Sequence, residues 1–137
     1  VSAHDPFIGT WQLVSQVVED RDGVLVDARG PNPLGVLMYQ ADGWMSVQLM
    51  RRERRSGLSL NNVHTAMTEY LGYFGTFVVN TEAQTVTHFV LGSSFPAYIN
   101  SQQVRRYTFG DELNMLTLEA EATLPGQMRR ILVWQRG

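Results

Sequence analysis

The sequence predicts an all-β protein, a closed antiparallel up-and-down barrel of eight or nine strands with one short helix, about residues 60–72, across one end. Two observations predict it. Turn signals cut the chain into short apolar segments throughout: Asp22-Gly23, Asp42-Gly43, Thr81-Glu82-Ala83-Gln84, Gly110-Asp111 and Pro125-Gly126. The links are short, so consecutive strands pair as antiparallel neighbours in a meander. Closing such a meander into a barrel removes the sheet edges that would otherwise recruit other chains.

In chain order, Asp5-Pro6-Phe7-Ile8 reads as a short plug before Gly9-Thr10-Trp11, with Trp11 closing the barrel base. Strands are expected near 9–19, 24–28, 34–40, 44–50, 73–80, 84–91, 102–109, 112–121 and 128–135. Arg51-Arg52-Glu53-Arg54-Arg55-Ser56-Gly57 is a polar loop, either simply solvated or steering an anionic ligand to the mouth. The helix follows, with Val63, Ala66, Met67, Tyr70 and Leu71 at helical spacing, Asn61 or Asn62 as N-cap and Gly72 as stop.

Composition narrows the function classes. With 137 residues, 44% hydrophobic and 18% charged, the chain reads as a single globular domain over 1–137. A net charge of −2 argues against a nucleic-acid partner. The absence of cysteine removes thiol catalysis and disulfides, and the absence of lysine removes Schiff-base chemistry. No apolar run reaches the about 20 residues that span a bilayer, and no signal peptide is visible, so the expected location is cytoplasmic with no membrane partner. His4, His64 and His88 are scattered, which suggests no metal site, and no glycine-rich phosphate loop or nucleophile elbow is present.

Hairpin arithmetic selects the residues that could carry chemistry. A two-residue turn at Gly110-Asp111 sets Arg105 opposite Leu116 and Gln103 opposite Leu118. The next strand then places Val133 beside Leu118, Ile131 beside Ala120, and Arg130 beside Glu121. Arg105 thereby falls on an apolar face, whereas Arg106, Glu119, Glu121 and Arg130 form a row suited to water. An arginine among aliphatics needs an anionic or hydrogen-bonding partner, supplied either by the protein or by a ligand.

Around Glu82-Ala83 the same reasoning pairs Val79 with Val86, Phe77 with His88, Gly75 with Val90 and Tyr73 with Gly92. Gly75 is expected to leave room beside His88. Around Asp42-Gly43 the apolar face is Val36, Met38, Met45, Val47 and Leu49, and the opposite face is Leu37, Tyr39, Trp44, Ser46 and Gln48. The lumen is therefore expected to be aliphatic and Met-rich, with His88, Arg105, Gln103 and Tyr73 as its polar points, the usual pattern of a small-molecule site. The plainer alternative is a filled core in which His88 and Arg105 are satisfied internally. A register slip of one residue would invert any of these faces.

An ordered set of segments resembles the lipocalin-like domain family, calycin-type small β-barrel proteins of bacteria and fungi. The set comprises Ile8-Gly9-Thr10-Trp11-Gln12-Leu13-Val14-Ser15, Gly35-Val36-Leu37-Met38-Tyr39, Asp42-Gly43-Trp44-Met45-Ser46-Val47-Gln48 and Tyr73-Phe74-Gly75-Thr76-Phe77. It continues with Thr85-Val86-Thr87-His88, Gln103-Val104-Arg105-Arg106-Tyr107 and Leu132-Val133-Trp134. The resemblance implies a barrel with an apolar cavity. It also points to Tyr39, Ser46 and Gln48 as pocket residues, which strand parity puts outside. Some barrels of similar build act as cofactor-free cyclases in natural-product pathways, although fold does not fix function.

The leading expectation is thus an enzyme without cofactor or metal that cyclises or isomerises a hydrophobic oxygenated molecule, polyketide-like or terpenoid. Arg105 would stabilise developing negative charge on oxygen and His88 would shuttle a proton. Tyr73, Phe77, Gln103, Met38, Met45 and Val47 would bind the ligand. His88→Ala and Arg105→Ala would then cut turnover with little effect on the thermal midpoint. The alternative is a non-catalytic carrier for an apolar small molecule.

Overall fold

The structure, a computed structural model, describes residues 2–20, 22–53, 69–121 and 127–137, with the backbone alone at 121, 127 and 128. Nine strands appear: β1 (Gly9–Asp20), β2 (Leu25–Asp27), β3 (Leu34–Tyr39), β4 (Trp44–Met50), β5 (Tyr70–Asn80), β6 (Thr85–Ser93), β7 (Gln102–Gly110), β8 (Met115–Glu121) and β9 (Gln127–Arg136). Every neighbouring pair is antiparallel, and β1 also pairs with β9, which closes an eight-stranded barrel. The ninth, β2, pairs only with the Val17–Glu19 stretch of β1. The helix expected over 60–72 falls largely on residues 54–68, outside those described, as does most of the arginine-rich loop. Its expected end is not helix: Tyr70, Leu71 and Gly72 are the first residues of β5. Short 3-10 turns occur at Asp5–Phe7 and Pro96–Tyr98. No helix among the described residues is long and apolar enough to cross a membrane.

Turn lengths decide which side chains face inward. The β3–β4 link has three residues rather than two: Gln40 N–H donates to Trp44 O (2.9 Å) and Gly43 sits at φ +94°. That is the three-residue hairpin, in which a residue of positive φ forms a bulge. The extra residue moves the register to Leu37↔Val47 and Tyr39↔Met45. Met45, Val47 and Leu49 stay inside as expected, but Leu37 and Tyr39 replace Val36 and Met38. Met38 is 42% exposed on the outer face.

Between β7 and β8 the link spans Asp111–Asn114, with Asp111, Glu112 and Leu113 all at positive φ. The register becomes Tyr107↔Leu118 and Arg106↔Glu119, four residues from the two-residue expectation. An even shift preserves parity, so Arg105 keeps its inward face. The β8–β9 register is displaced by one, to Leu118↔Leu132 and Ala120↔Arg130, and that inverts β9. Leu132 and Trp134 turn inward with Arg130, whereas Ile131 and Val133 turn outward. The water-facing row consists of Arg106, Glu119 and Arg129, with Glu119 accepting from Arg106 at 3.3 Å and from Arg129 at 3.4 Å.

The base is shut by aromatic packing. Phe7, 1% exposed, meets Tyr107 and Phe109 edge-on with ring centroids 4.9 and 5.0 Å apart. Trp11 is fully buried and donates its indole N–H to Phe7 O at 2.9 Å. Arg136 locks the plug, with its guanidinium 4.1 Å from the Trp11 ring centre and donating to Ile8 O and Pro6 O, each at 2.7 Å. Gly9 is required at this seam: it adopts φ +129°, and a Cβ there would stand 2.9 Å from Arg136 Nη1.

Candidate functional site: a phenol–imidazole–phenol chain beside buried arginines

Above the aromatic base the barrel retains a narrow cavity of about 30 Å³, which is room for about two waters. Its walls are mainly aliphatic: Leu37, Val47, Leu49, Leu71, Leu118 and Leu132. The polar groups reaching it are Gln16, Tyr73, His88, Arg105 and Arg130.

His88 projects inward from β6, between Phe77 of β5 and Gln103 of β7. Tyr39 OH lies 2.6 Å from its Nε2, and Tyr73 OH lies 2.6 Å from its Nδ1. Burial, and after it the Arg105 charge, lowers the His88 pKa from 6.5 to about 3. The imidazole is therefore neutral at ordinary pH, with one donor and one acceptor nitrogen. Tyr39 is buried, and His88 is its one hydrogen-bond partner among the described residues. If His88 donated to Tyr39, the tyrosine proton would be stranded, at a cost of about 1–3 kcal/mol. The chain therefore runs Tyr39 O–H to Nε2, then Nδ1–H to Tyr73 O, leaving the Tyr73 proton for the cavity.

Arg105 cannot receive that proton, because a guanidinium only donates. Its Nη2 donates to Gln103 Oε1 (3.3 Å) and its Nη1 to Val104 O (3.2 Å), both neutral acceptors at long distance. Burial pulls the Arg105 pKa down, and the neighbouring Tyr73 pushes it back up. Burial likewise raises the Tyr73 pKa, against the opposing Arg105 charge, and holds Tyr39 well above the usual phenol value. Both phenols therefore keep their protons at neutral pH.

Of the residues singled out from sequence, Tyr73, His88, Arg105 and Val47 line the cavity. Phe77 and Met45 are buried elsewhere in the core, with the Phe77 ring 4.5 Å from that of Tyr39. Gln103 holds Arg105 and donates to Ser101 Oγ at 2.8 Å. Gly75 does not open space beside His88. The strands shift register there, and a Cβ at Gly75 would stand 1.9 Å from Phe89 O, so the glycine admits the neighbouring backbone.

Strand parity did not find the buried residues Tyr39, Arg130, Gln16, Arg29 and Glu69. Tyr39 and Arg130 were hidden by one-residue register errors. Gln16 was hidden by the β1 irregularity between Leu13 and Ser15, which switches the inward set from Trp11 to Gln16 and Val18. Arg29 lies between β2 and β3, where no alternation marks it; it donates to Gln16 Oε1 at 2.6 Å, and its pKa is lowered to about 10, chiefly by burial and then by Arg130. Tyr39, which the resemblance pointed to as a pocket residue, is buried next to His88 without lining the cavity, while Ser46 and Gln48 lie on the strand face opposite Met45 and Val47.

Among the described residues no three His, Asp or Glu side chains come together. The chemistry on hand is that of phenols, one neutral imidazole and guanidiniums. A comparison with curated proteins returned no match. The model of the lipocalin-like domain family matches residues 8–137, nearly the whole chain, and the protein belongs to that family.

Proposed function

We propose that the barrel takes up a small hydrophobic molecule bearing an oxygen function and binds that oxygen at Tyr73 and Arg105. The observation that carries this reading is the composition of the cavity: aliphatic walls interrupted by a few polar groups, among them the Tyr73 phenol and the Arg105 guanidinium. An apolar body gains free energy from the walls, and the two donors fix its orientation.

The Tyr39–His88–Tyr73 chain favours a second reading, a cofactor-free isomerase or cyclase for a polyketide-like or terpenoid substrate. Tyr73 and Arg105 would stabilise negative charge as it develops on a carbonyl oxygen, and the dry walls would strengthen both interactions. His88 then acts as a positioning residue that orients the Tyr73 hydroxyl, because both its ring nitrogens are already engaged. For the same reason His88→Ala is expected to lower the thermal midpoint, contrary to the expectation from sequence.

The test is native mass spectrometry of freshly purified protein, followed by stripping and titration with the neutral probe N-phenyl-1-naphthylamine. Uptake of the probe, displaced by the released cargo, supports the binding reading. Empty protein that takes up no probe overturns it. Cargo returned chemically changed after incubation with wild type, but unchanged with Tyr73→Phe, supports catalysis; identical compounds from both overturn it.

A further inference from the structure

Arg130 sits at the centre of this inference. It projects into the cavity from β9, is 8% exposed, and its Nε and Nη2 are buried without a hydrogen-bond partner among the described residues. A buried guanidinium with idle donors is an expensive thing for a fold to keep. The strand registers give it a companion. Ala120 faces Arg130 across β8–β9, and Arg106↔Glu119 places Arg105 one step along, on the other side of Ala120. Two arginines thus flank a residue with only a methyl side chain, so nothing from β8 fills the space between them. No Asp or Glu lines the cavity among the described residues. Glu119, on the outer face, is engaged by Arg106 and Arg129, and the buried Glu69 lies 3.2 Å from Arg51.

The geometry points to a carboxylate subsite between Arg105 and Arg130, completed by the Tyr73 hydroxyl, so that the ligand is an apolar monocarboxylic acid. A carboxylate offers two coplanar oxygens that match guanidinium forks, and its remaining lone pairs accept the Tyr73 proton. The cavity suits a head group of that size, and the hydrocarbon part would part the aliphatic walls. Burial and mutual repulsion lower the Arg105 pKa, with Arg130 among the causes, and a bound anion relieves that repulsion.

This inference rests on the uptake reading above, and the experiment separates the two. Stripped protein is titrated calorimetrically with sodium decanoate, methyl decanoate and sodium acetate. Decanoate is expected to bind at least 10-fold tighter than the ester, whereas acetate, with no tail, requires far higher concentrations. Arg130→Met keeps length while removing charge. It is expected to weaken decanoate at least 10-fold, to leave the ester unchanged, and to raise the thermal midpoint of the stripped protein. Arg105→Met serves as the second variant, should the first fold poorly. Equal affinity for acid and ester, or an acid preference that survives both substitutions, overturns the carboxylate subsite while leaving apolar uptake standing. Failure of both acid and ester to bind overturns both readings.

Discussion

Burial of His88 between two phenols makes the stability of this barrel depend on pH in a calculable way. The folded-state pKa is about 3 against an ordinary 6.5. Above pH 6.5 neither the folded nor the unfolded chain holds the extra proton. Between about 6.5 and about 3 the unfolded chain holds it and the folded chain does not, so stability falls with pH by about 1.4 kcal/mol per unit. The loss from this residue amounts to about 2 kcal/mol at about pH 5, before ordinary carboxylates titrate. Protonation would also turn both ring nitrogens into donors, forcing Tyr39 to give up its hydrogen-bond acceptor. Urea unfolding of wild type and His88→Gln at about pH 7.5 and about pH 5 isolates the effect, because His4 and His64 are common to both proteins. Wild type is expected to lose about 2 kcal/mol more than the variant. Equal losses, or a His88 ring signal that titrates near 6.5 by NMR, would refute the reasoning.

Two further substitutions test the structure itself. Leu37→Ala, at a fully buried position, should cost about 2–5 kcal/mol in chemical unfolding, whereas Met38→Ala, on the outer face, should stay within about 0.5 kcal/mol; the opposite ranking would restore the two-residue turn at Asp42-Gly43. Gly75→Ala drives a methyl carbon to 1.9 Å from Phe89 O and should destabilise by about 3 kcal/mol or more, and a neutral outcome in thermal melts would mean that β5 and β6 do not approach as described.

The architecture was legible because turn signals and apolar runs are local properties of the chain. All nine strands fall where those signals put them, most within two residues at their ends. The site was legible only where parity survived. His88 was placed correctly because Thr81–Gln84 keeps the register that a two-residue turn would give, and Arg105 because its error was even; Tyr73 pairs with Ser93 rather than the expected Gly92, but it keeps its inward face because the alternation along β5 itself is unbroken. Tyr39 and Arg130 were lost to odd errors: one from a bulge at Gly43, the other from a one-residue displacement of β9 against β8. Neither shift is written in the apolar pattern itself. Arg29 belongs to another category, since it lies outside any alternating segment and only the folded chain brings it to Gln16.

The proposed carboxylate subsite gains support from a contrast between two arginines on β9. Arg130 and Arg136 share one strand and the same parity. Arg136 shows how this fold satisfies an arginine it uses for structure. Its nitrogens donate to Ile8 O and Pro6 O at 2.7 Å and reach Leu113 O at 3.3–3.4 Å, while its flat face covers Trp11. Backbone carbonyls are available at the base because the plug and the β7–β8 turn end there. Arg130 lies in mid-ladder, where β1 and β8 flank it and their carbonyls are spent on strand pairing. Its neighbours Arg29 and Arg105 share its charge. A structural role would be served as well by leucine or methionine, which fill the same volume without the cost of desolvating a cation. Retaining a cation with two buried nitrogens that lack a partner among the described residues is physically sensible when, as proposed, the acceptor arrives with the molecule the barrel binds.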